Sequence, residues 1–407
     1  MFSVYTVCFF AHLRAFTETF FSVKAAKSIV RPKNIMRSGD HWVENEHAYL
    51  EINSDGTINL TDKHNGKSYR NLLRFIDDAD LGNGWFYEDA VNAPSTVTSF
   101  SAPCTIEKTQ SGALQTTFRV TIFLRIPSHA DYDTFCRSEQ TVILPITSEI
   151  TLKNDSGKVY ICTTIHNCAK DHRLRLQIPT GITSKSYTAS QAFYFAEKKV
   201  GVDQRTTDWL EADQVEKHFN GIMYQRDNYG NGLAFSADEG IHQGGVTEDG
   251  VMSIVLFRAF GRANYINKTE RAQLQEKLTF CYTLMPLDAS QTNAALLHAR
   301  YFDFNEEIVR FGKEKIKPNQ EEIFAVSGKN IAVSILKPAE YEKNAFVLRL
   351  FNASAENADA ILTLSDVVQS VWSVNMAEEK EQLLAEHAAS CTINMPPYVI
   401  QTILLTF

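Results

Sequence analysis

From Asn45 onward the chain alternates between apolar and polar positions. Tyr49-Leu50-Glu51-Ile52-Asn53 alternates, Ser54-Asp55-Gly56 supplies a turn, and Thr57-Ile58-Asn59-Leu60-Thr61-Asp62 alternates again. Period-two strands flanking an Asp-Gly turn predict a β-hairpin, and His64-Asn65-Gly66-Lys67 reads as a second turn of that kind. The same texture predicts strands at residues 114–126, 140–152, 159–166, 173–178, 232–236, 252–259 and 276–285. Short strands punctuated by Gly, Asn and Asp, with few helical periods, predict stacked antiparallel sheets. One helix is predicted over residues 290–301, where Ala294, Leu297 and Tyr301 share a face.

Residues 305–330 break the pattern with a charge run around Pro318, the mark of a solvated linker. Beyond it, residues 331–337, 345–351, 360–364 and 399–407 read as strands of a second, smaller sandwich. Residues 1–39 stand apart, with six basic side chains against the single acid Glu18. They read as a leader with neither a basic n-region nor a clear cleavage site, rather than a secretory or organelle signal. The expected layout is therefore a leader at 1–39, a large β-sandwich at 40–310 and a small one at 311–407.

Composition narrows the class. The 407 residues carry 40 basic and 48 acidic side chains, a net charge of −8, and 44% are apolar, as in a folded, soluble protein. The acidity argues against nucleic acid as a partner. No uncharged apolar run reaches the roughly 18 residues needed to cross a bilayer, so no membrane partner is expected. The seven cysteines are scattered and never spaced C-x-x-C. That pattern fits reduced, mostly buried thiols in a cytoplasmic protein, and argues against a zinc knuckle or a disulfide framework.

Three clusters could carry chemistry. The first runs from Asp77 to Asp89 through Asp80, Asn83, Trp85 and Tyr87, with Gly82 and Gly84 bracketing Asn83. A sugar offers one apolar face and many hydroxyls, so aromatic rings beside carboxylates and amides suit it. The competing reading is an exposed loop anchored by a buried Trp85. The second cluster is His166 to Arg175. His166, Asp171 and His172 invite a metal, but the spacing fits no compact metal motif, and Arg173 and Arg175 put positive charge where a cation would bind. A turn held by Asn167 and Asp171 fits better. The third joins Gly232-Leu233-Ala234, the Gly240-Ile241-His242-Gln243 turn, and Arg258 in an apolar strand. A buried arginine needs a partner, so Arg258 is either half of a structural ion pair or a site residue. The chain lacks the G-x-S-x-G, P-loop, Rossmann and H-E-x-x-H signatures, and no glycosidase carboxylate pair can be chosen by spacing.

Taken in order, these clusters resemble the C-terminal half of the glycoside hydrolase family 38 α-mannosidases of bacterial type. The likeness rests on residues 44–63, on Asp80-Leu81-Gly82-Asn83-Gly84-Trp85, and on Lys170-Asp171-His172-Arg173-Leu174-Arg175. Pro179-Thr180-Gly181, Ser190-Gln191-Ala192-Phe193, Gly232-Leu233-Ala234, Gly240-Ile241-His242, Leu256-Phe257-Arg258 and the last strand from Pro396 come after them in order. The resemblance implies a mainly β fold: a large antiparallel supersandwich of the galactose-mutarotase-like kind, then a smaller C-terminal β-sandwich. It also implies mannosides as carbohydrate partners, and retaining exo-hydrolysis by an aspartate nucleophile with zinc or a similar divalent ion. Those groups belong to an N-terminal α/β domain, and neither the nucleophile nor a metal set maps onto this chain. No cofactor is expected in the chain itself. Gln243 stands where relatives tend to have Glu. The resemblance carries over only Asp80, Asn83, Trp85, Tyr87, His242 and Arg258, as the rim of a sugar site.

Two functions remain in play. The chain is the C-terminal portion of an α-mannosidase, truncated or split, inactive alone or dependent on a polypeptide carrying the α/β domain. Alternatively it is a stand-alone carbohydrate-binding scaffold. Mutarotase-like epimerisation, with His172 or His242 facing a Glu, is a weaker third option.

Overall fold

The computed structural model of the chain describes residues 36–91, 96–209, 211–238, 240–263, 269–304 and 324–407, with Phe9, Ala11 and Phe21. Most of the expected leader and most of the expected linker lie outside the described residues. Arg37–Ser38, inside the expected leader, pairs as a strand with Trp42–Glu44, and Phe324–Ser327, inside the expected linker, is also a strand. The fold is mainly β, in two compact units.

The larger unit extends to residue 189 and resumes over 197–289. Its nine-stranded antiparallel sheet is built around the long strands Gln115–Pro127 and Thr141–Lys153, joined in register by Val159–His166 and then Lys277–Leu287. A six-stranded sheet lines up Lys217–His218, Gln243–Val246, Val251–Ala259, His172–Pro179, Arg74–Ala79 and Val97–Thr98. A five-stranded sheet runs from Arg37–Ser38 to Ser68–Leu72. Successive side chains of a strand point to opposite faces, so Leu144, Ile146, Ile150 and Leu152 all face inward. There they meet Leu50, Leu60, Leu174, Leu176 and Ile254 in one core.

The smaller unit takes residues 190–196 and 290–407. Its sheet contains Phe324–Ser327, Ala358–Val374, Ile400–Thr406, Ala345–Asn352 and Ile331–Pro338, with Lys380–Met395 paired to Ala358–Val374. Leu348, Leu350, Leu362, Val371, Ile403 and Leu405 form its core. The long hairpin of Ala358–Val374 and Lys380–Met395 exceeds the expected strand at 360–364. Residues 381–390 are rich in Glu, Ala and Leu, good helix formers, and cross-strand pairing overrides that preference. The helix occupies Asn293–Phe304, three residues later than expected, because Thr292 caps it: its Oγ1 accepts from the Ala295 N–H at 3.2 Å.

The cysteines correct the sequence reading. Cys162 and Cys281 form a disulfide. They are 119 residues apart but lie directly opposite each other on neighbouring strands, with Cα atoms 4.2 Å apart. Spacing in the chain carries no trace of that register. Of the four free cysteines in the described residues, only Cys391 is buried; Cys104 and Cys136 are half-buried and Cys168 is exposed. No helix among the described residues is long and apolar enough to cross a membrane, which says nothing of a β-barrel.

One close approach pins a segment against the six-stranded sheet. A Cβ added to Gly245 would lie 1.8 Å from the Val215 carbonyl oxygen, so the segment before Lys217 lies directly on the outer face of that sheet. Gly245→Ala should therefore lower the urea midpoint, with a cost of about 1–3 kcal/mol. Gly112→Ala, whose Cβ would sit 3.4 Å from its nearest neighbour, should not. Equal midpoints for the two variants would show that the segment lifts away freely.

Candidate functional site

The six-stranded sheet sorts charged residues by face. In Asp77-Asp78-Ala79-Asp80 and His172-Arg173-Leu174-Arg175, neighbours in sequence point to opposite sides. Asp77 and His172 face the core side, where His172 Nδ1 lies 2.6 Å from Asp77 Oδ2 and its Nε2 lies 3.0 Å from Asn167 Oδ1. Arg137 donates to the other Asp77 oxygen. All four side chains are buried or nearly so.

The outer face carries Asp78, Arg173, Arg175, Ser253 and Arg258. A register shift after Leu174 lets Arg258 join Ser253 on this face although they lie an odd five positions apart. Arg175 Nε donates to Asp78 at 2.7 Å and its Nη1 to Glu216 at 2.8 Å. Arg173 Nε donates to Asp78 at 3.2 Å, and Ser253 Oγ donates to Glu216 at 2.5 Å. Glu216 reaches this network because its backbone crosses the sheet at Gly245. Burial raises the carboxyl pKa of Asp78 and of Glu216, but the two guanidiniums outweigh it and both end below their ordinary values.

The loop after Asp80 folds over this network. Asp80 is fully buried, and its carboxylate takes Arg258 Nε at 2.6 Å and Nη2 at 3.0 Å. The same Nη2 donates to the carbonyls of Asn83 and Phe86, at 3.0 and 2.8 Å. Asn83 Oδ1 accepts from the Trp85 N–H at 2.8 Å and closes the turn. The Arg173 guanidinium carbon lies 3.3 Å from the centre of the Tyr87 ring. Burial dominates at Asp80 and moves its carboxyl upward against the pull of Arg258.

The six residues expected at the rim of a sugar site separate by task. Asp80, Asn83, Tyr87 and Arg258 come together to fix the shape of the loop, and Arg258 is half of an ion pair. Trp85 is 69% exposed, so the alternative reading of it as a buried anchor is wrong. His242 is not with them. It is exposed at the start of Gln243–Val246, its ring beside that of His218 with centroids 6.4 Å apart. Sequence reasoning missed Glu216, which completes the network. The signal was Gly244-Gly245 inside a strand, the mark of a close backbone approach.

The second cluster forms a turn. Asp171 accepts from Tyr132 at 2.9 Å and from Gln273 at 2.6 Å, with φ of 55°, and Asn167 Oδ1 accepts from the Ala169 N–H. His166, Asp171 and His172 do not converge, and no group of three metal-ligating side chains occurs among the described residues. These residues do not fit a divalent ion. Both ring nitrogens of His172 face Asp77 and Asn167, which leaves no place for the glutamate that epimerisation needs.

Residues 43–265 match the Glycosyl hydrolases family 38 C-terminal domain, and residues 330–403 match the Glycosyl hydrolases family 38 C-terminal beta sandwich domain. The chain belongs to glycosyl hydrolase family 38. A putative mannosylglycerate hydrolase of Halalkalibacterium halodurans is 23% identical over 363 residues, which cover 85% of this chain and 40% of the relative. A family 38 protein from Enterococcus faecalis has the same fold, with a TM-score of 0.81, 20% identity, and coverage of 95% of this chain and 46% of that one. An alpha-mannosidase from Enterococcus faecalis V583 also has a TM-score of 0.81, with 21% identity and coverage of 93% and 43%. The chain spans less than half the length of each of these family 38 relatives, and what it matches is the family's C-terminal part.

Two outcomes test the network. Arg258→Ala leaves the buried Asp80 carboxylate uncompensated and should cost about 3–5 kcal/mol in denaturant unfolding. Glu216 has a depressed pKa in the folded state, so its contribution is complete above its ordinary value of 4.5 and is lost as pH falls through the lower folded value. Asp78 acts in the same sense and Asp80 in the opposite one. Thermal melts from pH 7 down to pH 3 should therefore fall less steeply for Glu216→Gln than for the native protein; parallel profiles would count against this network.

Proposed function

We propose that this chain acts as the C-terminal sandwich portion of an α-mannosidase-type glycoside hydrolase, with mannosides as the substrates. The observation that carries this reading is the pair of consecutive matches to family 38 C-terminal domains. Two relatives named for hydrolysis of mannose-containing compounds support it. The site geometry supports it as well. Asp77, Asp78, Asp80 and Glu216 are the buried carboxylates of the six-stranded sheet and its covering segment, and each is held by an arginine. None is free to attack or to protonate a glycosidic oxygen. In this reading the nucleophile, and zinc or a similar ion, are supplied by the catalytic part of the family, in the same or a separate polypeptide. This part of the protein gives the supporting fold and one rim of the sugar site.

A second reading, favoured by the exposed indole of Trp85, is carbohydrate binding without catalysis. Both readings make the same prediction for the chain as it stands. The purified protein with added zinc should not hydrolyse an aryl α-mannoside. Turnover that survives a second purification would overturn both.

A further inference from the structure

We infer that Trp209 and Trp85 together form a binding surface for a neutral oligosaccharide, and that this surface discriminates against anionic sugars. The inference rests on the carbohydrate reading of the Trp85 loop and extends it to a second loop and a ligand class.

Trp209 is 66% exposed, close to the 69% of Trp85. Its loop is closed by its own hydrogen bonds. The Asp203 N–H donates to Asp213 Oδ2 at 2.8 Å, and the Asp213 N–H donates to Thr206 Oγ1 at 2.7 Å. The Trp209 N–H donates to the Thr206 carbonyl at 2.9 Å. The two loops meet where Gln214 Nε2 donates to the Tyr87 carbonyl at 3.4 Å. Both are fastened to the same buried charges, one through Arg258 and Arg173, the other through Glu216. Loops whose backbones are held before binding lose little freedom when a ligand arrives. An indole face suits the C–H face of a pyranose.

Charge selects the ligand. Residues 80–91 contain no Lys, Arg or His, and neither do residues 206–216. They do contain Glu88, Asp89, Asp208 and Glu211, while Asp213 is paired with Lys217 at 3.0 Å, just beyond the second range. The guanidiniums beneath are bound by Asp78, Asp80 and Glu216, and Arg205 at the loop's edge pairs with Asp203. A carboxylate or phosphate on the ligand would meet repulsion here, whereas a neutral polyol would meet hydrogen-bond acceptors and aromatic faces.

Calorimetry and indole fluorescence on the full chain decide this, with methyl α-mannoside, an α-linked mannobiose and mannosylglycerate as probes. The mannobiose should bind at least tenfold more tightly than mannosylglycerate. Trp209→Ala should weaken mannobiose at least tenfold, and Trp209→Phe should retain part of the affinity. Equal binding by Trp209→Ala, or mannosylglycerate binding as tightly as the neutral disaccharide, would overturn the inference. Loss of binding in Trp85→Ala with none in Trp209→Ala would leave the Trp85 reading standing and remove only the extension. No binding by the native protein to any probe would overturn both.

Discussion

Arg173, Arg175 and Arg258 on the outer face of the six-stranded sheet set the terms for everything placed over it. Three guanidiniums cannot be covered by protein unless each finds an anion, because an unpaired buried charge is far costlier than any single packing gain. Asp78 comes from the neighbouring strand, Asp80 from the loop that leaves it, and Glu216 from a segment well beyond His172–Pro179 in the chain. Two surface loops are therefore fixed by charges beneath them, and the first also buries Leu81 and Ala90 in a small apolar cluster with Ala79 and Ala130. Arg258 goes further and binds two loop carbonyls as well, using the planar fork that distinguishes arginine from lysine.

This arrangement explains why the residues most suggestive of chemistry do so little of it directly. A histidine beside an aspartate, or an Asp-Asp-x-Asp run, looks like a site. Here the pleat of the sheet distributes those groups to opposite faces, and each is satisfied locally. What reaches solvent is aromatic. The family relationship agrees with that division, since the matched portion is the C-terminal part of proteins more than twice as long.

Much of the fold was legible in the sequence. Alternation marks one face of each strand as buried, so the strands at 115–127, 141–153 and 159–166 were readable nearly to the residue. Arg74–Ala79 was harder to see. It carries two carboxylates that only tertiary partners make tolerable, so its pattern resembles a polar loop. The site was legible as a set of residues but not as an arrangement. Asp80 and Arg258 are 178 positions apart, and only the packing of strands makes them a pair. Trp209 gave no signal, because a lone indole among polar residues looks the same whether it is an anchor or a surface.

The Cys162–Cys281 crosslink has a topological consequence. It joins two strands that bracket everything from residue 163 to residue 280, including the exposed loop at Trp209 and the Gly240–His242 turn. A peptide bond cleaved anywhere in that interval opens a ring rather than dividing a chain. The two pieces stay covalently joined through neighbouring strands of one sheet.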